Sequence, residues 1–226
     1  MLPRTVLARR LWAAAAVLLA SAVSVKAVRG SQKPYTPDAP SYRQQGRPDA
    51  AIVIVEFSDL QCPACRFAVG PVKDLLKLYG KDARLIFKHY PLSQHKLAWP
   101  AAVAAECAGR QGKFWDFHDL AYDKQLQWAP PPPLGAPEAL KPVSPDEPYK
   151  KEFDSYAKGL GLDMAAFASC LKDPSISSLI EKDRKDAEDR WVLSTPTFFI
   201  NGKRFVGAGQ LSEKGVPWID KLLKPK

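Results

Sequence analysis

Residues 50–65, AAIVIVEFSDLQCPAC, decide the fold, because they carry a strand directly into a pair of cysteines. The segment 50–57 is apolar and rich in β-branched residues except for Glu56, a pattern typical of a strand buried on both faces of a sheet. Residues 63–79 then have helical spacing, and residues 84–90 (RLIFKHY) are predicted to form a second strand. The predicted order is strand, helix, strand, with the Cys-x-x-Cys motif where the first strand passes into the helix.

The positions of the two cysteines predict different chemistry for their thiols. We expect Cys62 at the N-cap of the helix and Pro63 at its first position, where a missing N–H group costs nothing. The unpaired N–H groups of the first turn and the positive end of the helix dipole then favour the Cys62 thiolate. Cys65 lies three residues further on the same helix face, but deeper. Cys62 is therefore the predicted nucleophile, and Cys65 the thiol that resolves a mixed disulfide.

Glu56 is the only charged residue in the predicted first strand. A buried carboxylate without a partner is costly, so we expect its pKa to be raised. Such a group can carry a proton to and from the inner sulfur. The alternative is a glutamate at the strand end that reaches solvent.

The rest of the chain predicts a helical unit inserted between β elements. Helical periodicity follows the second strand and defines an insertion at about 95–190. It is interrupted at 130–148, where eight prolines predict an extended surface loop, either a plain spacer or a docking segment for a partner. Residues 197–206 predict two strands joined by an Asn-Gly turn, and a final helix is expected at about 212–223.

The basic character of the chain is concentrated at its start. The sequence has 33 Lys and Arg against 24 Asp and Glu, a net charge of +9. Four of these basic residues, and no acidic ones, lie within the first 27 positions, which leaves 29 basic against 24 acidic residues in the remainder. This modest excess contains no short Lys/Arg-rich run, so nucleic acid is not an expected partner.

Residues 1–27 are predicted to be a signal peptide or an N-terminal membrane anchor. Arginines precede the uncharged run 11–25, which is shorter than the roughly 20 residues that a spanning helix needs. Cleavage is favoured, after Ala22 or Ala27, over an uncleaved anchor and over a cytosolic protein. Both leading interpretations place the folded part in the periplasm or elsewhere outside the cytoplasm, where disulfides persist. The polar, proline-containing residues 28–49 are predicted to be a tether.

Three blocks of sequence together resemble the DsbA-like branch of the thioredoxin superfamily. They are residues 56–65 (EFSDLQCPAC), 104–115 (AAECAGRQGKFW) and 194–202 (STPTFFING), and the resemblance covers about residues 50–225. It implies a thioredoxin-like α/β fold, in which a central mixed β-sheet is flanked by helices and carries an inserted helical domain.

The resemblance also implies roles for individual residues. Cys62 and Cys65 would form the redox-active disulfide, with Cys62 as the nucleophile, and Glu56 would be the buried acid. Pro196 would be a cis proline beside the disulfide. Thr195 would offer backbone groups to an extended substrate, a strand-addition contact that tolerates many sequences.

Cys107 and Cys170 lie in two different predicted helices of the insertion. Four cysteines permit three pairings, and the active-site spacing accounts for one pair, which leaves 107 with 170. We favour a structural disulfide, which would stabilise the fold by roughly 4 kcal/mol for a loop of about 60 residues. Two buried free thiols or a second redox couple are the alternatives.

Metal and cofactor sites are not predicted. A closed zinc site needs a second Cys-x-x-Cys or a spaced histidine pair, whereas His89, His95 and His118 are scattered over a strand end, a loop and a helix. We interpret each histidine as a surface or packing residue.

The predicted function is that of an extracytoplasmic protein disulfide oxidoreductase, a dithiol oxidase that donates the Cys62–Cys65 disulfide to reduced exported proteins. A disulfide isomerase or reductase is the neighbouring alternative. A Cu(I)-binding protein that uses two thiolates, or a chaperone, would be a different class. We expect a monomer, because the tether is too short for a dimerisation domain, and a membrane or soluble redox partner that recycles the pair.

One residue departs from the pattern of the best-known oxidases of this branch. They carry a histidine where this sequence has Ala64, so a side chain that helps to hold the thiolate is absent. Asp59 is expected to oppose the thiolate further. The sequence therefore leaves the oxidising strength of the pair undetermined.

Overall fold

The computed structural model describes residues 38–130 and 148–224. The predicted signal or anchor segment and nearly all of the proline-rich loop lie outside the described residues. Within the described ranges, no helix combines the length and apolar character needed to cross a membrane. Five strands form one sheet in the order β1-β3-β2-β4-β5, and these strands are β1 Gln44–Gly46, β2 Ile52–Ser58, β3 Ala83–His89, β4 Thr197–Ile200 and β5 Lys203–Val206.

Strand β2 occupies the centre of this mixed sheet. It runs parallel to β3, with Ile52 opposite Ala83 and Ser58 opposite His89, and antiparallel to β4 on its other side. Helix α1, Pro63–Tyr79, is the crossover between β2 and β3. All residues of β2 except Val53 are buried, which explains the continuous apolar run in the sequence. The carboxyl end of β2 leads into the active-site turn at the start of α1.

The folded region begins before residue 50, which corrects the predicted tether at 28–49. Strand β1 pairs antiparallel with the edge of β3 through its main chain, and this pairing needs no apolar side chains. The amino-acid composition of residues 28–49 therefore did not indicate a strand. Gly46 has φ of +92°, and a Cβ there would come within 2.3 Å of the Ala83 carbonyl oxygen, so the close approach of these strands requires glycine.

The turn before β1, Ser41–Arg43, is anchored by two buried contacts. The ring of Tyr42 lies where a side chain on Gly109 would stand, since a Cβ at that glycine would be 2.5 Å from the ring. The guanidinium of Arg43 is 1% exposed and forms ion pairs with Glu106 and Asp183. These contacts fix the end of the predicted tether to the domain.

The predicted helical insertion is present and consists of six described helices. These are α2 Ala98–Arg110, α3 Phe114–Asp123, α4 Gln125–Trp128, α5 Pro148–Gly159, α6 Met164–Cys170 and α7 Pro174–Asp189. Asp163 caps α6 by accepting a hydrogen bond from the Ala166 N–H. A disulfide between Cys107 and Cys170 joins α2 to α6, with an S–S distance of 2.08 Å.

The C-terminal part supplies the last two strands of the sheet and covers one of its faces. Asn201 and Gly202 both have positive φ, 46° and 84°, which is the geometry of a two-residue hairpin turn between β4 and β5. The final helical segment begins at residue 207 rather than 212, as α8 Gly207–Gln210, a π-helical turn, and α9 Val216–Leu223. The extra turn packs against α1, with Ala208 beside the core.

Candidate active site

The active-site turn joins β2 to α1 and places the two cysteines as the sequence suggested. Cys62 is the N-cap of α1, and Pro63 follows at the first helical position. The Cys62 N–H donates to the Asp59 carbonyl at 3.0 Å, and the Cys62 carbonyl accepts from the N–H of Cys65 at 3.1 Å. Cys62 is 7% exposed and Cys65 is fully buried, and the two thiols are not bonded to each other. The structure therefore shows the dithiol form of the pair.

The loop before β4 brings a second chain segment to the reactive sulfur. The peptide bond between Thr195 and Pro196 is cis. The Cys62 sulfur lies 3.6 Å from the Thr195 carbonyl oxygen, to which it donates when it is protonated. The loop is held by a 2.8 Å hydrogen bond from the Gly207 N–H to the Pro196 carbonyl and by one from the Thr197 hydroxyl to the Ser194 carbonyl.

The two thiols differ in their tendency to ionise. A hydrogen bond from Cys65, aided by the Thr195 hydroxyl and by the N–H groups of Cys65 and Ala64, lowers the pKa of Cys62 to about 6, although burial acts against this. Burial, together with the neighbouring Cys62, raises the pKa of Cys65 well above its usual value. At neutral pH the outer sulfur is therefore a thiolate and the inner sulfur a thiol.

The Glu56 side chain points into the protein. It is 5% exposed, and within the sheet Glu56 lies between Phe87 and Phe198 on the neighbouring strands. Burial raises the pKa of this carboxyl to about 7. Of the two alternatives drawn from the sequence, the structure therefore has the buried acid and not the exposed strand end.

The sequence analysis missed two hydroxyl groups that lie beside the buried sulfur. The Ser58 hydroxyl is 3.0 Å from the Tyr122 phenol oxygen, and the Tyr122 phenol donates to the Asp59 carbonyl at 3.1 Å. Ser58 could have been found, because it is two residues after Glu56 and therefore on the same face of β2. Tyr122 gave no such signal, because it reaches the site from α3, more than 60 positions along the chain.

Asp59 organises the active-site turn and does not simply oppose the thiolate. Its carboxylate accepts hydrogen bonds from the N–H groups of Gln61 and Leu92, at 2.7 and 2.9 Å, and lies 2.7 Å from the His95 ring nitrogen Nδ1. These contacts tie the turn to the loop that follows β3. Gln125 adds a tie from the insertion, because its side-chain amide donates to the Leu60 carbonyl.

The remaining predicted site residues, Cys107 and Cys170, bond to each other within the core of the insertion. Across residues 38–130 and 148–224, no group of three or more His, Cys, Asp or Glu side chains is arranged to hold a metal ion. The site brings together two thiols, one buried carboxyl and several hydroxyl groups.

Residues 38–220 match the family model described as Thioredoxin. Among curated proteins, the chain is 35% identical over 176 residues to the protein named Na(+)/H(+) antiporter NhaA 1 of Salinispora arenicola. That match covers 77% of this chain and 24% of the relative, so the chain spans about a quarter of the length of the curated relatives it matches.

Solved structures with the same architecture include a thioredoxin-like oxidoreductase and a thiol-disulfide exchange protein. A thioredoxin-like oxidoreductase from Silicibacter pomeroyi has a TM-score of 0.61 and 25% identity, covering 82% of this chain and 94% of that one. The thiol-disulfide exchange protein alpha-DsbA2 from Wolbachia pipientis has a TM-score of 0.62 and 22% identity, covering 80% and 87%. These likenesses confirm the predicted thioredoxin-like fold with a helical insertion.

Proposed function

This chain belongs to the thioredoxin family, and we propose that it is a thiol-disulfide oxidoreductase whose Cys62–Cys65 pair acts as a dithiol oxidase on exported proteins outside the cytoplasm. The observation that carries this proposal is the asymmetry of the pair. The pKa of Cys62, which keeps some exposure, is lowered to about 6, whereas that of the fully buried Cys65 is raised.

This asymmetry suits a disulfide donor. A substrate thiolate attacks the Cys62 sulfur, which is the one that retains some exposure. When the second substrate thiol resolves the mixed disulfide, Cys62 departs as a stable thiolate, and a thiol of low pKa is the better leaving group. Stabilising the reduced form of the pair makes its disulfide more oxidising.

Substrate binding is proposed at the loop that contains Thr195 and the cis Pro196. The contact between the Cys62 sulfur and the Thr195 carbonyl places main-chain groups beside the reacting atom. An extended substrate segment could pair with this main chain irrespective of its sequence, which suits an enzyme that acts on many proteins. Cys107 and Cys170 have a structural role in this proposal.

The proposal also gives the reaction a direction, namely oxidation of substrate thiols rather than reduction or isomerisation of substrate disulfides. Ala64 supplies no hydrogen-bond donor to the thiolate, so the lowered pKa of Cys62 rests on Cys65, Thr195 and the helix N–H groups. Because the pKa of Cys62 is lowered, we assign the role of an oxidase rather than that of an isomerase or reductase. Measuring the reduction potential of the pair against glutathione tests it, because a potential near that of cytosolic reductants would reverse the assignment.

The location and partners follow from the proposed reaction. An oxidase must be reoxidised after each turnover, so we propose a membrane-bound or soluble redox partner, and reduced exported proteins as substrates. Residues 1–27 would supply the export signal or the anchor. Fractionation of cells that produce the full chain, with the processed N-terminus determined by mass spectrometry, tests this location.

The experiment that tests the activity uses two serine variants of the full chain with a reduced model protein. Cys65→Ser should accumulate covalent mixed disulfides through Cys62, because the resolving thiol is missing, whereas Cys62→Ser should form none and lose activity. If Cys65→Ser forms no adducts, the nucleophile is misassigned. Tight, stoichiometric Cu(I) binding without turnover of a reduced substrate would favour the metal-binding alternative instead.

A further inference from the structure

The Ser58 hydroxyl occupies a position between the buried acid and the buried thiol. Glu56 and Ser58 project from the same face of β2, because side chains two residues apart share a face of a strand. The Ser58 side chain is completely buried. Its oxygen is 3.0 Å from the Tyr122 phenol, whose single hydrogen is donated to the Asp59 carbonyl. Tyr122 therefore accepts the hydrogen of Ser58 in this contact and so orients the serine hydroxyl, which must turn that hydrogen to the sulfur when it donates to Cys65.

We propose that the Ser58 hydroxyl conveys the proton between Glu56 and Cys65 during disulfide exchange, an inference that rests on the proposed function. Both end groups interact with this hydroxyl. Glu56 shares its face of β2, and the N–H of Asp59, the next residue, donates to the Cys65 sulfur at 3.5 Å. The hydroxyl also lowers the pKa of both Glu56 and Cys65 against the larger effect of burial. A hydroxyl can donate one hydrogen bond and accept two, so it can pass a proton without holding a charge.

The proposed step balances as follows. A substrate thiolate forms a bond to the Cys62 sulfur, the Cys62–Cys65 bond breaks, and its electron pair leaves on the Cys65 sulfur. Ser58 gives its proton to that sulfur while it takes the proton of the neutral Glu56 carboxyl. Glu56 then recovers a proton from solvent, and the second substrate thiolate releases Cys62. The substrate is oxidised by two electrons and the cysteine pair is reduced by two.

Glu56 lines a small cavity through which its carboxyl can exchange a proton with solvent. The cavity has a volume of about 20 Å³, enough for about one water molecule. It is lined by the indole of Trp115, whose buried N–H group has no acceptor within the described residues, and by Lys73 and Asp119, which form an exposed ion pair. A polar path thus leads from Glu56 towards the surface.

Few groups near the site change their charge around neutral pH. The titratable and charged groups that face Glu56 and Cys65 are Cys62, Lys73, His118, Asp119, Tyr122 and Asp59. Burial lowers the pKa of His118 and raises that of Tyr122, so both stay neutral, and hydrogen bonds from His118 and Lys73 hold the pKa of Asp119 below its usual value despite burial. In the oxidised protein Cys62 does not titrate. An inflection near neutral pH therefore reports on Glu56.

The test compares Ser58→Thr with Ser58→Val in the full chain. The two substitutions add the same bulk at a buried position, but only threonine keeps the hydroxyl. Oxidised protein is mixed with dithiothreitol in a stopped-flow instrument from about pH 5 to about pH 9, and the rate of reduction of the Cys62–Cys65 disulfide is recorded. This reaction requires the relay but no protein substrate.

We expect Ser58→Val to be reduced about 10²-fold more slowly than Ser58→Thr at neutral pH, the low end of what a positioned proton donor contributes. Its rate profile should also lack the inflection that Glu56 gives near pH 7. Equal rates and identical profiles for the two variants would overturn the relay. If neither variant folds, Ser58→Ala, which adds no atoms, is tested in their place. A pH–rate profile of Ser58→Ala like that of the wild type would overturn the relay.

The outcome for the wild type separates this inference from the proposed function. A wild-type protein that exchanges disulfides readily, with a profile that does not depend on Ser58, would leave the oxidoreductase assignment intact and remove only the relay. A wild-type protein whose pair does not react with dithiothreitol, or with a reduced model protein, would contradict both.

Discussion

At the scale of single residues, the reactivity of Cys62 depends on the thiol beside it. The hydrogen bond from Cys65 is the largest of the effects that lower the pKa of Cys62 to about 6. We therefore expect the alkylation rate of Cys62 in the reduced wild type to rise through an inflection near pH 6, and this inflection to move to higher pH in Cys65→Ala. Mass spectrometry of iodoacetamide-treated protein measures the rate at each cysteine. An unchanged inflection in Cys65→Ala would mean that the helix N–H groups and Thr195 suffice.

Glu56 should make the stability of the fold depend on pH. Its pKa is about 7 in the folded protein, against 4.5 for an unperturbed glutamate, so the folded state binds more protons between these values. Stability should therefore fall as pH rises through this window. Glu56→Gln keeps the shape and removes the charge, so it should be more stable than the wild type at about pH 8 by on the order of 3 kcal/mol.

Urea denaturation measures the effect of Glu56→Gln, and the same comparison at about pH 4 is its control. At that pH the carboxyl is protonated in the folded protein, so most of the difference should vanish. A constant difference between the two proteins at both pH values would show that Glu56 does not carry a raised pKa.

At the scale of secondary-structure elements, the Cys107–Cys170 disulfide fastens α2 to α6, 63 positions apart in the chain. Replacing both cysteines by alanine should lower the free energy of unfolding by roughly 4 kcal/mol, because the bond constrains the unfolded chain. Activity at a temperature where the variant is folded should be nearly unchanged, since these residues have no proposed part in the exchange. Thermal denaturation with an activity assay checks both. Equal melting temperatures would show that the bond adds no stability.

At the scale of the whole molecule, the segment before β1 is held by buried charge. Arg43 pairs with Glu106 of α2 and with Asp183 of α7, and all three side chains are at most 1% exposed. Removing one member of a buried ion pair leaves a charge without compensation. Arg43→Ala should therefore destabilise the fold by about 3 kcal/mol, the low end for such changes, because Lys88 remains beside Asp183.

The matched control for Arg43→Ala is Arg47→Ala, four residues further along the chain and directly after β1. Arg47 forms an ion pair with Asp49 in which both side chains are mostly exposed. Exposed pairs contribute about 0 to 1 kcal/mol, so this variant should unfold almost as the wild type does. Similar losses in the two variants, measured by denaturant unfolding, would mean that the segment contributes as a whole and not through its buried charge.

Local patterns in the sequence predicted four of the five strands and the place of the reactive pair. Strand β2 is apolar because it is buried on both faces, and the change from strand to helix spacing located the Cys-x-x-Cys motif at the start of α1. The hairpin of β4 and β5 could be predicted because its two-residue turn needs positive φ at both positions, and Asn-Gly is a pair that adopts this geometry. These features depend on neighbours in the chain, and such local rules can be applied without a structure.

Only the tertiary structure decided how distant segments complete the site and where the folded region begins. Tyr122 meets Ser58, and Thr195 meets Cys62, across separations of 64 and 133 positions. Such contacts depend on how helices pack on the sheet, which no local pattern encodes. Strand β1 escaped prediction because main-chain pairing and a buried arginine, rather than apolar side chains, hold it in place. The sequence shows which groups can react, and the packing decides which of them meet.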